Sequence, residues 1–210
     1  MVASLVTPVS SGLDYSAYEA VNGLSGDSLA DDVLVFMATA LPLIMVAVVA
    51  LAFLLPFART RRERRRGAVL ATVSAAIALL VNQPISHLAD RLRPYVAHPA
   101  HAHLLIARSH DPSFPSDHAT GAFALAVAVF LYDRAVGTLL LVLAAVLAFA
   151  RVYVGTHYPG DVVAGALIGG AVAVGLYRLP VTRAGLEALA RRCGALWDAC
   201  LARLLPRRLA

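Results

Sequence analysis

The 210-residue sequence has few charged side chains, only two cysteines and no lysine. Charged residues make up 15% of the chain and hydrophobic residues 60%, whereas soluble globular domains have about 25% and about 45–50%. So few charged residues cannot give this apolar chain a polar surface. The composition therefore excludes a soluble enzyme and a disordered protein, and it also excludes a nucleic-acid binder although the net charge is +5. Cys193 and Cys200 lie close together near the C-terminus and indicate no disulfide framework. The composition is that of an integral membrane protein.

Five apolar segments are long enough to cross a membrane, because a helix that spans about 30 Å of hydrocarbon needs about 20 apolar residues. The short turn Asp133–Arg134 between the third and fourth segments predicts an antiparallel pair of helices. We therefore expect an all-α polytopic membrane bundle of about five transmembrane helices. The predicted spans are residues 32–55, 67–88, 116–132, 135–152 and 162–177.

An amphipathic segment flanks the spans at each end. In the tail, apolar side chains recur at helical spacing over residues 186–204, with Arg191 and Arg192 opposite, which is typical of a helix at the membrane interface. Packing on the base of the bundle explains the tail equally well. Residues 13–29 show a weaker version of the pattern. We divide the chain into an N-terminal interfacial segment (1–31), a transmembrane domain (32–178) and an amphipathic tail (179–210).

The distribution of arginines predicts the orientation. With five spans, the arginine run 59–66, Arg134 and the arginines from Arg178 onward share one side, which then holds fourteen of the 18 arginines. Cytoplasmic loops carry such an excess, so this side is predicted to be cytoplasmic. The other four arginines and all seven histidines face outward.

Three outward segments concentrate the polar residues that orientation does not explain: residues 90–94, 114–118 and 151–161. Charges at membrane depth are costly, so such a cluster predicts a functional site. The guanidinium groups of Arg93 and Arg151 match the geometry of phosphate oxygens. Ser116 precedes a helix, where its hydroxyl and free backbone N–H groups favour an anion.

The same cluster contains a candidate nucleophile and a candidate acid. His157 and Asp161 are spaced i, i+4, so the carboxylate can hold one ring nitrogen protonated and leave the other free to attack. His118, on another segment, is available as a proton donor.

Each of these features also has a simpler structural explanation. An Arg-Pro pair commonly marks a helix boundary, Ser116 can be an N-cap, and Asp161 can interact with the helix dipole. Four histidines at 98, 101, 103 and 110 could bind zinc, but no cysteine or paired carboxylate accompanies them. We therefore predict no metal and no other cofactor. The convergence of three segments on one side favours the functional interpretation.

These segments resemble the signature motifs of the type 2 phosphatidic acid phosphatase superfamily of membrane lipid phosphatases. The resemblance covers about residues 67–175. The Lys of the first motif falls on Ser86, so Arg91 or His87 would have to supply its charge. The matching positions are Arg93-Pro94 in the first motif, Pro115-Ser116-Asp117-His118 in the second, and Arg151, His157 and Asp161 in the third.

The resemblance implies a role for each matched residue. His157 would attack phosphorus and be transiently phosphorylated, with Asp161 holding it, while His118 protonates the leaving oxygen. The phosphate would be bound by Arg93, Ser116 and Arg151, and we add Arg91 and Asp117 as candidate phosphate-binding residues. The family does not depend on a metal.

The second motif, which has Asp117 where the broader family has Gly, and the first-motif stretch Arg-x-Arg-Pro-Tyr at residues 91–95 together resemble the branch of bacterial undecaprenyl diphosphate phosphatases of the bacitracin-resistance type. We therefore expect an enzyme that removes the terminal phosphate of a polyprenyl diphosphate at the outer face of a bacterial cytoplasmic membrane. The expected partners are this lipid phosphate and membrane lipids, with no nucleic acid. A phosphatase for phosphatidic acid or phosphatidylglycerol phosphate and a small transporter remain alternatives. The sequence leaves the tail length and the oligomeric state open.

Overall fold

The computed structural model describes residues 12–55 and 61–204, and all regular secondary structure in these two ranges is helical. The predicted all-α membrane bundle is confirmed. The described residues form eight helices: α1 (Leu13–Asn22), α2 (Ser28–Leu54), α3 (Arg61–Ala89), α4 (Pro94–Ala97), α5 (Asp117–Phe130), α6 (Arg134–Tyr153), α7 (Pro159–Arg178) and α8 (Pro180–Leu204).

Four of the described helices are long and apolar enough to cross a membrane: α2, α3, α6 and α7. The third predicted span is shorter than expected, because α5 has 14 residues and is therefore about 21 Å long. The helix packs against α2, α3, α6 and α7. Since its neighbours cover much of its surface, α5 does not need to match the thickness of the hydrocarbon layer.

The interior of the bundle is built from small side chains that allow helices to approach closely. The alanines of α5 at positions 119, 122, 124, 126 and 128 are all buried. On α7, Gly169 lies against α5 so closely that an added Cβ would stand 2.2 Å from the carbonyl oxygen of Thr120. Close contact of this kind drives helix association in lipid, where hydrophobic burial between helices contributes little.

The outer faces of the spanning helices carry large apolar side chains. Leu43 on α2, Leu139 on α6 and Leu167 on α7 are 73%, 53% and 68% exposed. Such faces are unfavourable in water and suit contact with lipid tails. This arrangement fits a multi-pass membrane protein.

The long helices run in alternating directions, so the bundle has two ends that carry different residues. The C-terminal ends of α3 and α6 meet the N-terminal ends of α5 and α7 at one end, which we call the upper face. The opposite end, which we call the lower face, carries the described part of the arginine run, residues 61–66, and α8. The motif residues are thus separated from the arginine run by most of the length of α3.

At the lower face, α8 packs on α3, which is the second of the two explanations considered for the tail. The guanidinium of Arg65 donates two hydrogen bonds to Asp198, at 2.9 and 2.6 Å, and these bonds lower the pKa of that carboxyl. Arg64 pairs with Asp133 at 3.0 Å. Part of the arginine run therefore forms helix α3 and fixes its neighbours, and Arg59 lies outside the described residues.

At the upper face, α1 is held by the buried side chain of Asn22. Its amide nitrogen donates to the carbonyl oxygens of His103 and Tyr153, both at 2.8 Å. Its amide oxygen accepts from the N–H of His103 at 2.9 Å and from the hydroxyl of Tyr18 at 3.0 Å. A fully satisfied buried amide fixes its surroundings, so α1 is joined to the loop before α5 and to the end of α6.

Candidate active site

A polar cavity of about 170 Å³ lies at the upper face, where the three polar segments of the sequence meet. The segments contribute residues from the start of α4, the start of α5, the end of α6 and the loop before α7. The cavity is lined by Gln83, Ser86, His87, Arg93, Ser109, Asp111, Pro112, Pro115, Asp117, His118, Arg151 and His157.

His157 stands in the short connection between α6 and α7 and is only 2% exposed. The chain can turn here because Gly155 has a φ of +84°, a conformation that costs glycine little. The ring nitrogen Nδ1 of His157 lies 2.9 Å from the carbonyl oxygen of Ser113. The other ring nitrogen, Nε2, lies 3.3 Å from Nη1 of Arg93. A carbonyl only accepts and a guanidinium only donates, so this network places the proton on Nδ1 and leaves the Nε2 lone pair in the cavity.

The position of Asp161 corrects part of the prediction. We expected its carboxylate to bind the histidine ring directly, but Oδ2 lies 3.7 Å from Nδ1 of His157. The hydrogen bond from Nδ1 goes instead to Ser113. The carboxylate already accepts from the Ser113 hydroxyl at 2.5 Å, the Tyr158 N–H at 2.8 Å and Arg91 at 2.6 Å. Asp161 therefore lies within ion-pair distance of Nδ1 without accepting its hydrogen bond.

The surroundings of His157 keep its ring neutral near pH 7. Burial lowers its pKa, and the positive charges of Arg151 and Arg93 act in the same direction. The charge of Asp161 opposes this shift. Because the pKa lies below its ordinary value of about 6.5, the ring is neutral at pH 7 and its unprotonated Nε2 can act as a nucleophile.

Two buried arginines give the cavity its positive charge. Arg93 and Arg151 are 8% and 7% exposed, and neither forms an ion pair with a carboxylate of the described residues. Arg93 is held by the carbonyl oxygens of Asp111 at 2.8 Å and Thr156 at 3.2 Å. In Arg151, the buried Nε has no hydrogen-bond partner within the described part of the chain. Two uncompensated guanidinium groups in a small cavity favour a multiply charged anion.

Among the polar residues of the second motif, His118 and Asp117 line the cavity, whereas Ser116 does not. His118 lines the cavity. Asp117 also lines it, but its Oδ1 accepts a hydrogen bond from Asn82 at 2.6 Å. Ser116 is buried and its hydroxyl oxygen faces the N–H of Ala119 at 3.5 Å, so in this structure it is the N-cap of α5 and does not line the cavity.

Comparison with known proteins identifies the family of the chain. The sequence profile of the PAP2 superfamily matches residues 67–184. The chain belongs to the PAP2 superfamily. It is 35% identical to undecaprenyl-diphosphatase BcrC of Bacillus subtilis over 71% of this chain and 75% of that protein. It is 38% identical to the putative undecaprenyl-diphosphatase YbjG of Escherichia coli over 50% of this chain and 53% of that protein.

Solved PAP2 structures share the fold. The LpxE structure from Aquifex aeolicus superimposes with a TM-score of 0.61 at 21% identity, covering 83% of this chain and 97% of that one. The PAP2-type phosphatidylglycerolphosphate phosphatase of Bacillus subtilis gives a TM-score of 0.55 at 20% identity, covering 79% and 85%. This PAP2 protein is therefore an enzyme, a membrane lipid phosphatase.

Arg91 does not occupy the position that we expected for a phosphate-binding residue. The cavity lining does not include it. Its guanidinium donates instead to Asp161 and to Asp14 of α1, both at 2.6 Å, and stacks 4.0 Å above the ring of Tyr158. By contrast, His87 does line the cavity and is the remaining candidate for the charge of the missing first-motif lysine.

Some residues of this PAP2 site are missed by reasoning from sequence alone. Ser113 contacts both His157 and Asp161 but lies outside the motifs. Asp14 belongs to a helix that precedes the superfamily match. Asn82 was detectable, because a polar amide within an otherwise apolar span is costly unless it has a partner.

The loop that contains His98 and His103 makes structural contacts in this PAP2 protein. The ring of His98 lies 4.0 Å from that of Tyr15, and Nδ1 of His103 lies 2.8 Å from the hydroxyl of Ser25. In residues 12–55 and 61–204, no three or more His, Cys, Asp or Glu side chains come together as a metal site would require.

Proposed function

We propose that this enzyme removes the terminal phosphate of a polyprenyl diphosphate, such as undecaprenyl diphosphate, through a phosphohistidine at His157. One observation carries the proposal: the unprotonated Nε2 of His157 faces a cavity that it shares with the guanidinium groups of Arg93 and Arg151. A nucleophile and two phosphate-binding groups therefore lie within reach of one phosphoryl group.

The proposed reaction has two steps. In the first, Nε2 of His157 attacks the terminal phosphorus, the bond to the bridging oxygen breaks, and His118 protonates the departing lipid phosphate. In the second, His118 takes a proton from water, the water oxygen attacks phosphorus, and the P–N bond breaks to release phosphate. Phosphoryl transfer chiefly requires positioning and neutralisation of the equatorial oxygens, which we assign to Arg93 and Arg151.

An apolar groove next to the cavity supports a lipid substrate. The groove has a volume of about 390 Å³ between α2, α3 and α5, and its lining includes Met45, Leu79 and Leu125. His118 and Asp117 line both the groove and the polar cavity. A substrate can therefore place its phosphates among the arginines while its tail stays in an apolar environment.

The proposed substrate class is tested by phosphate release from a panel of lipids in detergent. Undecaprenyl diphosphate, phosphatidic acid and phosphatidylglycerol phosphate are compared at equal surface concentration, each with a chelator present. We expect the highest kcat/KM for undecaprenyl diphosphate, as for the activity in the name of the BcrC relative. A higher kcat/KM for either glycerolipid contradicts the substrate assignment, and loss of activity with the chelator contradicts the metal-free mechanism.

We further propose that the upper face lies outside a bacterial cytoplasmic membrane, because the five predicted spans assign fourteen of the 18 arginines to the opposite side of the membrane. A reporter fused after Arg66 or Arg183 should be detected in the cytoplasm, and one inserted at His103 outside the membrane. Cytoplasmic detection of the reporter at His103 would reverse the orientation and the location of the substrate.

A further inference from the structure

The structure contains a charged link between the N-terminal surface helix α1 and the carboxylate beside the proposed nucleophile. Asp161 is fully buried and accepts a hydrogen bond from Nη1 of Arg91 at 2.6 Å. Through Nη2, Arg91 donates to Oδ2 of Asp14 at 2.6 Å. We call these three residues the Asp14–Arg91–Asp161 clamp.

The clamp is held in place on several sides. Oδ1 of Asp14 accepts the backbone N–H of Gly160 at 2.7 Å, so α1 is bonded directly to the first turn of α7. The guanidinium of Arg91 lies over the ring of Tyr158, which is itself buried against Tyr18 of α1. A planar guanidinium fixed by two carboxylates and an aromatic ring cannot be replaced by a flexible ammonium without loss.

From this geometry we propose that Asp14 and Arg91 are positioning residues of the proposed reaction, and that α1 is a functional part of the active site. The proposal depends on His157 being the nucleophile. Asp14 precedes the region matched by the superfamily, residues 67–184, so the superfamily match does not include this contact.

Asp14 is expected to matter for the reaction because it changes the net charge beside His157. Arg91 alone would neutralise Asp161 and cancel its effect on the imidazole ring. Because Asp14 shares the same guanidinium, the clamp keeps a net charge of −1. That charge stabilises the positive charge that develops on the ring when Nε2 bonds to phosphorus.

Other charges also face the ring and must stay constant in any test. Arg93 comes from the start of α4, Arg151 from α6 and His118 from α5, and all three line the cavity with His157. Neither Asp14 nor Arg91 lines that cavity. Substitution in the clamp therefore changes the field on His157 without removing a side chain that faces the substrate.

The test is the pH dependence of kcat/KM for a polyprenyl diphosphate in detergent, measured on the whole protein. The acid limb of this profile is the range in which kcat/KM falls as the pH falls, and it reports protonation of the nucleophile in the free enzyme. Asp14→Asn removes a negative charge, so the limb should move to lower pH by about half a unit, less than a directly contacting charge produces. We expect kcat to fall about 10-fold with KM nearly unchanged. Asp14→Glu restores the charge and should return the limb to its original position.

Arg91→Gln removes a positive charge and should move the limb in the opposite direction, to higher pH. This substitution leaves Asp161 without its ionic partner and can impair folding, which is why Asp14→Asn, at a partly exposed residue, is the primary variant.

Asp31→Asn is the matched control, because the side chain of Asp31 accepts a hydrogen bond from Tyr153 at 2.8 Å in the same N-terminal region but has no contact with the clamp. The control should leave the acid limb in place.

The outcomes separate this inference from the proposed function. If His157→Ala is inactive but Asp14→Asn keeps both the wild-type kcat and the wild-type acid limb, the clamp has no positioning role. An equal fall in kcat for Asp14→Asn and Asp31→Asn without a pH shift shows that α1 is only structural, which also overturns the inference. Activity retained by His157→Ala instead overturns the proposed function itself.

Discussion

His157→Ala is expected to lower kcat on a polyprenyl diphosphate by about 10⁴-fold or more, the scale at which enzymes respond to loss of a nucleophile. The substitution removes Nε2, the only protein atom that we assign to bond formation with phosphorus. Arg93 and Arg151 remain, so binding of the lipid phosphate should change little. Initial rates of phosphate release and equilibrium binding of the substrate measure the two effects separately.

The same variant tests for the covalent intermediate. Wild-type enzyme quenched during turnover of substrate labelled in the terminal phosphate should retain label that is lost in acid, as phosphohistidine is. His157→Ala should retain none. His101→Ala is the matched control, because His101 is exposed in the same upper region and does not line the cavity; it should keep activity and labelling. Substantial turnover by His157→Ala would eliminate His157 as the nucleophile.

His118→Ala should have an effect that depends on the leaving group. General acid catalysis contributes about 10²–10⁴-fold when the leaving oxygen needs a proton, so a lipid monophosphate, which leaves as an alcohol, should lose that much. An aryl phosphate with a nitro substituent leaves as a stable anion and should lose far less. A polyprenyl diphosphate, which leaves as a phosphate monoester, should fall between the two.

Asp161→Asn is the comparison variant for this experiment. It changes the field and the packing beside His157 before any leaving group departs, so it should slow all three substrates by the same factor. The ratio of rates between aryl and lipid substrates thus separates the two roles. If His118→Ala slows the aryl phosphate as severely as the lipid monophosphate, His118 is a phosphate ligand and another group is the acid.

The membrane class and the order of the helices were predictable from the sequence because hydropathy is a local property. Each long apolar segment except α5 matches a helix that can span the bilayer by its own length. α5 differs because its neighbours in the bundle, rather than the lipid, cover much of its surface. The packing of α8 on α3 likewise depends on Arg65 meeting Asp198, two residues that are 133 positions apart.

The gathering of the three polar segments at one end of the bundle also followed from the sequence. An even number of spans separates His118 from Arg151, so a membrane protein has to return them to the same side. The candidate roles of Arg93, His118, Arg151 and His157 remain predictions, and the structure adds that these four line one cavity.

Only the tertiary structure decided which polar groups are partners. The sequence predicted that Asp161 would contact His157 and that Arg91 would bind the substrate. In the folded chain, the N–H of His157 donates to the carbonyl oxygen of Ser113. Arg91 donates to two carboxylates that are 70 and 77 positions away in the sequence. Hydrogen bonds and ion pairs depend on distances of about 3 Å, which sequence spacing cannot specify across separate helices. The apolar pattern of the chain determines that it spans a membrane, and the packing of α1, α5 and α7 determines what surrounds His157.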